Sequence, residues 1–164
     1  MTDHPTTTPG ADTVTVRPAT PEDAPRLADF NCRLALESED RTLDAAMVET
    51  GARSILADPA RGQYWLGIGD GEPVGCCLVT TEWSDWTAGR YWWLQSVYVE
   101  PAWRGRKVFG ALWRRVLAAA RAAGDVTAIR LYVEAENRDG RAVYERIGMH
   151  PTPYLVYELP LEGP

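Results

Sequence analysis

The run Val97-Tyr-Val-Glu-Pro-Ala-Trp-Arg-Gly-Arg-Lys-Val-Phe-Gly-Ala-Leu112 constrains the fold more than any other part of this chain. An apolar strand stops at a proline, and a short loop then carries Arg104, Gly105, Arg106 and Lys107. A helix with Val108, Leu112, Val116 and Ala120 on one stripe follows at once. The first N–H groups of a helix lack intrahelical acceptors and form the positive end of the macrodipole, so anions gather there. Glycine and three cations at that point build a receptor for a phosphate group, and a diphosphate suits it. The plainer alternative is a solvated basic helix start, because a Gly-containing turn before a helix is a weak motif on its own. Neither G-x-x-x-x-G-K-[ST] nor G-x-G-x-x-G occurs in the segment.

The rest of the chain supplies a sheet for this helix to cover. Residues 13–19 alternate as a strand, and Thr20-Pro-Glu-Asp23 gives an N-cap, a proline at the first helical position and an acid three residues after the cap. Ala24, Leu27, Phe30, Asn31 and Leu34 follow at helical spacing, so a first helix is predicted to about Leu36, with a polar break over residues 37–41. A second helix is predicted over residues 43–57, burying Leu43, Met47, Gly51 and Ile55. Strands at 63–69 and 74–82 are joined through Asp70-Gly71, a hairpin signal, and a long strand spans 91–99. The loop helix extends to about Ala122, ended by Gly124. A strand at 127–135, a short helix at 139–147 and a final strand at 154–159 complete the pattern.

The order β-α-α-β-β-β-α-β-α-β contains neither a repeat nor a linker. It predicts one α+β domain over residues 13–160 with a mixed, mostly antiparallel sheet, after a Thr-, Pro- and Asp-rich tail (residues 1–12) expected to be disordered. A chain of 164 residues with 45% apolar content carries one core. Its net charge of −6 argues against a nucleic-acid partner, for which a basic domain is the footprint. The positive charge is concentrated at Arg104, Arg106, Lys107, Arg114 and Arg115, and the acidic balance elsewhere favours a cationic or amine substrate. Cys32, Cys76 and Cys77 form no C-x-x-C pair, and Cys76 and Cys77 on a strand point to opposite faces, so neither a metal site nor a disulfide framework is expected. No apolar run approaches a membrane span and no signal peptide precedes the first strand, which reads as a reduced cytoplasmic protein.

The loop resembles the acyl-CoA loop of the GCN5-related N-acetyltransferases, the GNAT superfamily, whose pattern is roughly [QR]-x-x-G-x-[GA]. A second segment, Asn137-Arg-Asp-Gly140-Arg-Ala-Val-Tyr144-Glu-Arg-Ile-Gly148-Met149, looks like that family's N-x-x-[AG]-x-x-x-Y-x-x-x-G-[FM]. The two stand in the family's order, and the resemblance spans about Val14 to Leu159. The stretches Glu82-Trp-Ser-Asp-Trp86 and Tyr91-Trp-Trp-Leu-Gln-Ser-Val97 look like a bacterial subgroup of unnamed substrate. The chain departs from the loop pattern at Lys107, where glycine is expected, and at Phe109, where glycine or alanine is expected.

The resemblance implies a GNAT fold with helices on both faces and splayed central strands, and an acetyl-CoA-dependent N-acetyltransferase acting by direct transfer. Backbone groups of Val97, Tyr98 and Val99 would pair with the pantetheine arm. The loop from Arg104 through Gly105, Arg106, Lys107, Val108 and Phe109 to Gly110 would hold the diphosphate, and Asn137 would help fix the arm. Tyr144 would protonate the departing thiolate: a phenol with a pKa near 10 is protonated at pH 7 and matched to a thiolate of similar basicity. The bland reading makes Tyr144 a packing aromatic.

Glu37 and Glu39, in the break between the first two helices, Glu82, at a strand end, and Glu134, on another strand, are the candidate acceptor-side carboxylates, each readable also as a solvated surface acid; a base could equally be water. Trp83 and Trp86 flank a polar tip and either line the acceptor pocket or form a homodimer contact. The acceptor is a small-molecule or peptide amine, with no membrane partner. A non-catalytic acyl-CoA-binding sensor or interaction module is the rival class, which Lys107 and Phe109 leave open.

Overall fold

Side chains alternate between the two faces of a sheet, so a strand with a continuous buried run, as over residues 74–79, needs a helix on each face. In the computed structural model, which describes residues 13–161, five strands lie in chain order: β1 (Thr15–Pro18), β2 (Gln63–Gly69), β3 (Glu72–Ser84), β4 (Gly89–Val99) and β5 (Val126–Leu131). Neighbours from β1 to β4 pair antiparallel, and β5 joins β4 in parallel. The parallel step requires a crossover, supplied by α3 (Val108–Ala123). The chain divides into two compact units, one ending at Tyr132 and the other beginning at Val133. The first also contains α1 (Ala24–Glu39) and α2 (Ala45–Ala57), and the second contains α4 (Arg138–Arg146).

Two cores sandwich the sheet of the first unit. Leu27 and Phe30 of α1 and Ala52 of α2 pack with Tyr64, Leu66, Cys76, Leu78 and Tyr98. Val108, Leu112 and Val116 of α3 pack with Trp65, Cys77, Val79 and Leu94 on the other face. Cys76 and Cys77 thus lie on opposite faces, as the strand period requires. The hairpin between β2 and β3 turns through Asp70 (φ 51°) and Gly71 (φ 84°), and α3 ends on Gly124 at φ 78°.

Four sequence expectations change. Helix α1 runs to Glu39, where Asp40 takes left-handed backbone at φ 50° and its N–H donates to Ala35 O, closing the helix. Helix α2 begins after Asp44, whose Oδ1 accepts from the Ala46 and Met47 N–H groups at 2.9 and 3.1 Å. Its inward stripe is Ala52 with Ile55 and Leu56, while Gly51 is exposed and Met47 is 73% exposed. A strict spacing of four drifts around a 3.6-residue helix, so residues 43, 47, 51 and 55 do not share one face. Strand β5 stops at Leu131, where its ladder with β4 ends at Leu94. Residues 154–159 form no strand: Tyr154, Leu155, Val156, Tyr157 and Leu159 are exposed. A short apolar run does not hold a strand without a neighbour to pair with, and among its described residues the second unit contains no strand. The expected tail, residues 1–12, lies outside the described residues.

Candidate functional site

Close backbone approach seats the basic loop on the sheet. Gly67 and Gly75 stand opposite each other on β2 and β3. A Cβ at Gly67 would lie 2.9 Å from Val108 Cγ1, and one at Gly75 would lie 2.7 Å from Tyr98 O. The start of α3 therefore sits on a surface that only glycine leaves low enough. A short 3₁₀ turn, Pro101–Trp103, leaves β4 and buries Trp103 in the α3-side core.

The loop then twists through two left-handed residues, Gly105 at φ 79° and Lys107 at φ 65°. Lys107 is the N-cap of α3, so the first-turn N–H groups begin at Val108. Arg104, Gly105, Arg106 and Lys107 are all exposed. The Arg106 guanidinium lies 5.0 Å from the Trp103 ring centre. One turn beyond Gly110 in α3, Arg114 Nη1 reaches back to within 3.7 Å of where a Cβ on Gly110 would stand.

Strand β4 carries an irregularity that no sequence signal marks. Cys76 pairs with Tyr98 and Leu78 with Gln95, so β4 advances three residues while β3 advances two. Ser96, at φ 48°, takes up the extra residue, and the Cys76 thiol donates to its carbonyl at 3.4 Å. This is a β-bulge, and it shifts the side-chain alternation by one. Tyr98 consequently faces α1 beside Phe30, at 5.4 Å between ring centres, while Val97 and Val99 pack toward α3. The ladder to β5 ends at Leu94, yet β4 continues to Val99. Central strands that part in this way leave β4 backbone beyond Leu94 without a β5 partner.

Helix α1 grips the end of β4 through residues 26, 30, 33 and 37, one stripe at helical spacing. Arg26 Nη2 and Arg33 Nη1 both donate to Glu100 Oε1, at 2.6 and 3.2 Å. The Arg26 guanidinium lies 4.4 Å from the Phe30 ring centre. Glu37 accepts from Tyr98 Oη at 2.8 Å and from Arg104 Nη2. The Arg104 contact holds the Glu37 carboxyl below its ordinary range, and the Tyr98 bond adds to this. Tyr98 is pushed up to about 12, by burial first and by the Glu37 carboxylate second. The Arg- and Glu-containing stripe was open to detection from spacing alone, since Arg26, Phe30, Arg33 and Glu37 follow i, i+4, i+7, i+11.

The acceptor-side candidates are not gathered in one place. Glu37 lies under the loop, and Glu39 is exposed at the end of α1. Glu82 sits on the α1 face of β3, where it accepts from Trp93 Nε1 at 2.6 Å and lies 3.9 Å from Arg130 Nη1. Arg130 in turn stacks over Tyr91 at 3.6 Å, and Trp93 stacks on Tyr132 at 4.5 Å. Trp83, 64% exposed, is the next residue of the strand and points to the opposite face, and Trp86, 85% exposed, follows in the turn toward β4.

In the second unit, Asn137 caps α4 by accepting the Gly140 N–H on Oδ1 at 2.9 Å. Tyr144 is half-buried on this helix, and its carbonyl accepts the Ile147 and Met149 N–H groups at 3.2 and 3.1 Å before Gly148 turns the chain at φ 93°. The two thiols inside the sheet are unreactive by environment: burial pushes Cys76 up, and Cys77 to about 12. Among the described residues no group of three or more His, Cys, Asp and Glu could hold a metal ion, and no helix is long and apolar enough to cross a membrane.

Solved structures with this architecture are numerous. A possible acetyltransferase from Clostridium difficile 630 is 32% identical, with a TM-score of 0.85, covering 92% of this chain and 99% of that one. A ribosomal-protein-alanine N-acetyltransferase from Brucella melitensis biovar Abortus 2308 is 22% identical (TM-score 0.72; 92% and 100% covered). A predicted acetyltransferase with acetyl-CoA from Clostridium acetobutylicum is 17% identical (TM-score 0.74; 90% and 96% covered). No curated protein matches the chain. The sequence model of the acetyltransferase (GNAT) family matches residues 28–149, and with the bulged β4, its parting from β5 and the basic start of α3, the chain belongs to the GNAT acetyltransferases.

Proposed function

We propose that this acyltransferase moves an acetyl group from acetyl-CoA to a primary amine by direct transfer in a ternary complex. One observation carries the reading. A twisted basic loop leads into a long helix immediately after a strand that bulges at Ser96 and parts from β5 beyond Leu94. The residues present fit acetyl-CoA: exposed Arg106 and Lys107 and the first turn of α3 offer positive charge and N–H donors to a diphosphate. Val97, Tyr98 and Val99 offer strand backbone to an amide-bearing arm. The bound thioester supplies the acyl group and a leaving thiolate.

The chain's own residues do the rest. Val108, Phe109 and Gly110 orient the diphosphate by their backbone, and Asn137 steadies the start of α4 so that Tyr144 is held on a capped helix. Tyr144 Oη carries the proton delivered to the leaving sulfur. The amine approaches along the α1 face, where Glu82, Trp93 and Arg130 form a polar and aromatic wall beside the end of the β4–β5 ladder. Water or a carboxylate such as Glu39 or Glu82 takes the amine proton. Direct transfer is favoured over a cysteine-bound route because both sheet thiols are buried and hard to ionise.

Lys107 favours a second reading, a non-catalytic acyl-CoA-binding module, because a residue with a Cβ stands, at φ 65°, where the family pattern has glycine. Calorimetric titration with CoA and with acetyl-CoA tests the shared part of both readings: binding is expected, and its absence would defeat both.

A further inference from the structure

We propose that Glu37 and Arg104 form a clasp between α1 and the phosphate loop, so that Arg104 acts on the cofactor by setting the shape of the loop and not by touching phosphate. The proposal rests on the cofactor reading above, and it gives both residues a different role from that of a cofactor ligand and an acceptor-site carboxylate.

The guanidinium of Arg104 is turned back toward the strand it follows. Its Nε donates to Val99 O at 3.1 Å, its Nη2 donates to Glu37 Oε2, and its central carbon lies 5.8 Å from the Tyr98 ring centre. Tyr98, 3% exposed, belongs to the α1-side core, whereas the start of α3 packs on the opposite face of the sheet. The cation therefore sits on the α1 side, while the helix start that would receive phosphate builds on the other. The second Glu37 oxygen accepts from Tyr98 Oη, so one carboxylate fixes both the ring beneath the guanidinium and the guanidinium itself.

The clasp continues a series along α1. Arg26 and Arg33 hold Glu100 at one end of the turn that leaves β4, and Glu37 holds Arg104 at the other. Both ends of the segment that carries Trp103 are thereby tied to one helix. A rigid guanidinium fork suits two acceptors in different directions, which a lysine ammonium would serve less well.

The test uses the full chain with four substitutions: Glu37→Gln, Arg104→Gln, their combination, and the exchanged pair Glu37→Arg with Arg104→Glu. Calorimetry with CoA should show each single change weakening binding about three- to tenfold, as expected for loss of a partly exposed, hydrogen-bonded ion pair. The combination should be no worse than either single change, and the exchanged pair should recover part of the loss. If Arg104 were a phosphate ligand restrained by Glu37, Glu37→Gln would leave CoA binding unchanged or tighter while Arg104→Gln weakened it. That opposite sign, or additive losses without recovery in the exchanged pair, would overturn the clasp. Hydrogen exchange at the loop amides reads the same contact without cofactor, and both single changes should speed it. Unchanged exchange would also overturn the proposal, whereas loss of CoA binding by the wild-type chain with that exchange response intact would defeat only the functional reading.

Discussion

Gly105 and Lys107 stand two residues apart in the loop and both take left-handed backbone, at φ 79° and 65°. Glycine enters that region freely, while a residue with a Cβ crowds its own carbonyl there. The family pattern expects glycine at 107, and the fold keeps the glycine-like turn although lysine occupies it. Lys107→Gly should therefore raise stability by about 0.5–1 kcal/mol, net of the entropy glycine adds to the unfolded chain. For a domain of this size that is a rise in Tm of about 1–4 °C, read by scanning calorimetry. A fall in Tm would mean that the lysine side chain holds the loop by contacts that outweigh its backbone strain.

The charges of the loop should govern affinity more than folding. Arg106 and Lys107 are exposed, exposed cations contribute little to stability, and on the proposed reading these two face the diphosphate. Arg106→Glu or Lys107→Glu should weaken CoA about tenfold or more, with Tm nearly unchanged. Raising the salt concentration should narrow the gap between wild type and variants. Equal CoA affinity in all three proteins would remove the loop from the site.

Asp23 accounts for an acid-sensitive part of the stability. Its carboxylate accepts two hydrogen bonds from Arg17, at 2.7 and 2.9 Å, and one from the Thr20 N–H at 2.7 Å. The Arg17 bond, with the Thr20 groups, outweighs burial and holds the carboxyl down at about 2. A depressed carboxylate stabilises the fold fully above its unfolded value near 4, and the benefit is lost as pH falls through about 2. Asp23→Asn should cost about 2 kcal/mol at pH 7, a Tm loss of roughly 4–8 °C, and the difference should close between pH 4 and pH 2. Melting curves at pH 7, 4 and 2.5 check this; a gap independent of pH would assign the loss to geometry alone.

The parts of the site that follow from local pattern could be read in the sequence, and those that depend on distant neighbours could not. The strand, basic loop and helix over residues 97–112 were readable because apolar period, proline and glycine act within a few residues. Asn137 caps α4 two residues before the helix start expected at 139, and Gly148 follows the helix end at φ 93°. Ser96 gave no warning of the bulge, since a serine inside an apolar strand carries no backbone preference that marks one, and its left-handed φ of 48° is imposed by the pairing with β3. Gly67 and Gly75 carry no local signal of their role, which comes from Val108 of α3 packing over them. The separation of Glu82 from Trp83 was readable in principle from strand period. The link between Glu37 and Arg104 was not, because it joins residues far apart in the chain.

Thiol release from acetyl-CoA, followed over a panel of amines with the wild-type chain and with Tyr144→Phe, tests the central claim most directly. The substitution removes one hydroxyl and keeps the ring, so packing on α4 is nearly preserved. If Tyr144 protonates the leaving thiolate, at least one amine should raise release well above the rate in buffer. The Phe variant should then lose about 10²- to 10⁴-fold in kcat, with CoA affinity little changed. CoA binding without amine-dependent release would contradict the account and leave an acyl-CoA-binding module; full activity in the Phe variant would contradict the role assigned to Tyr144.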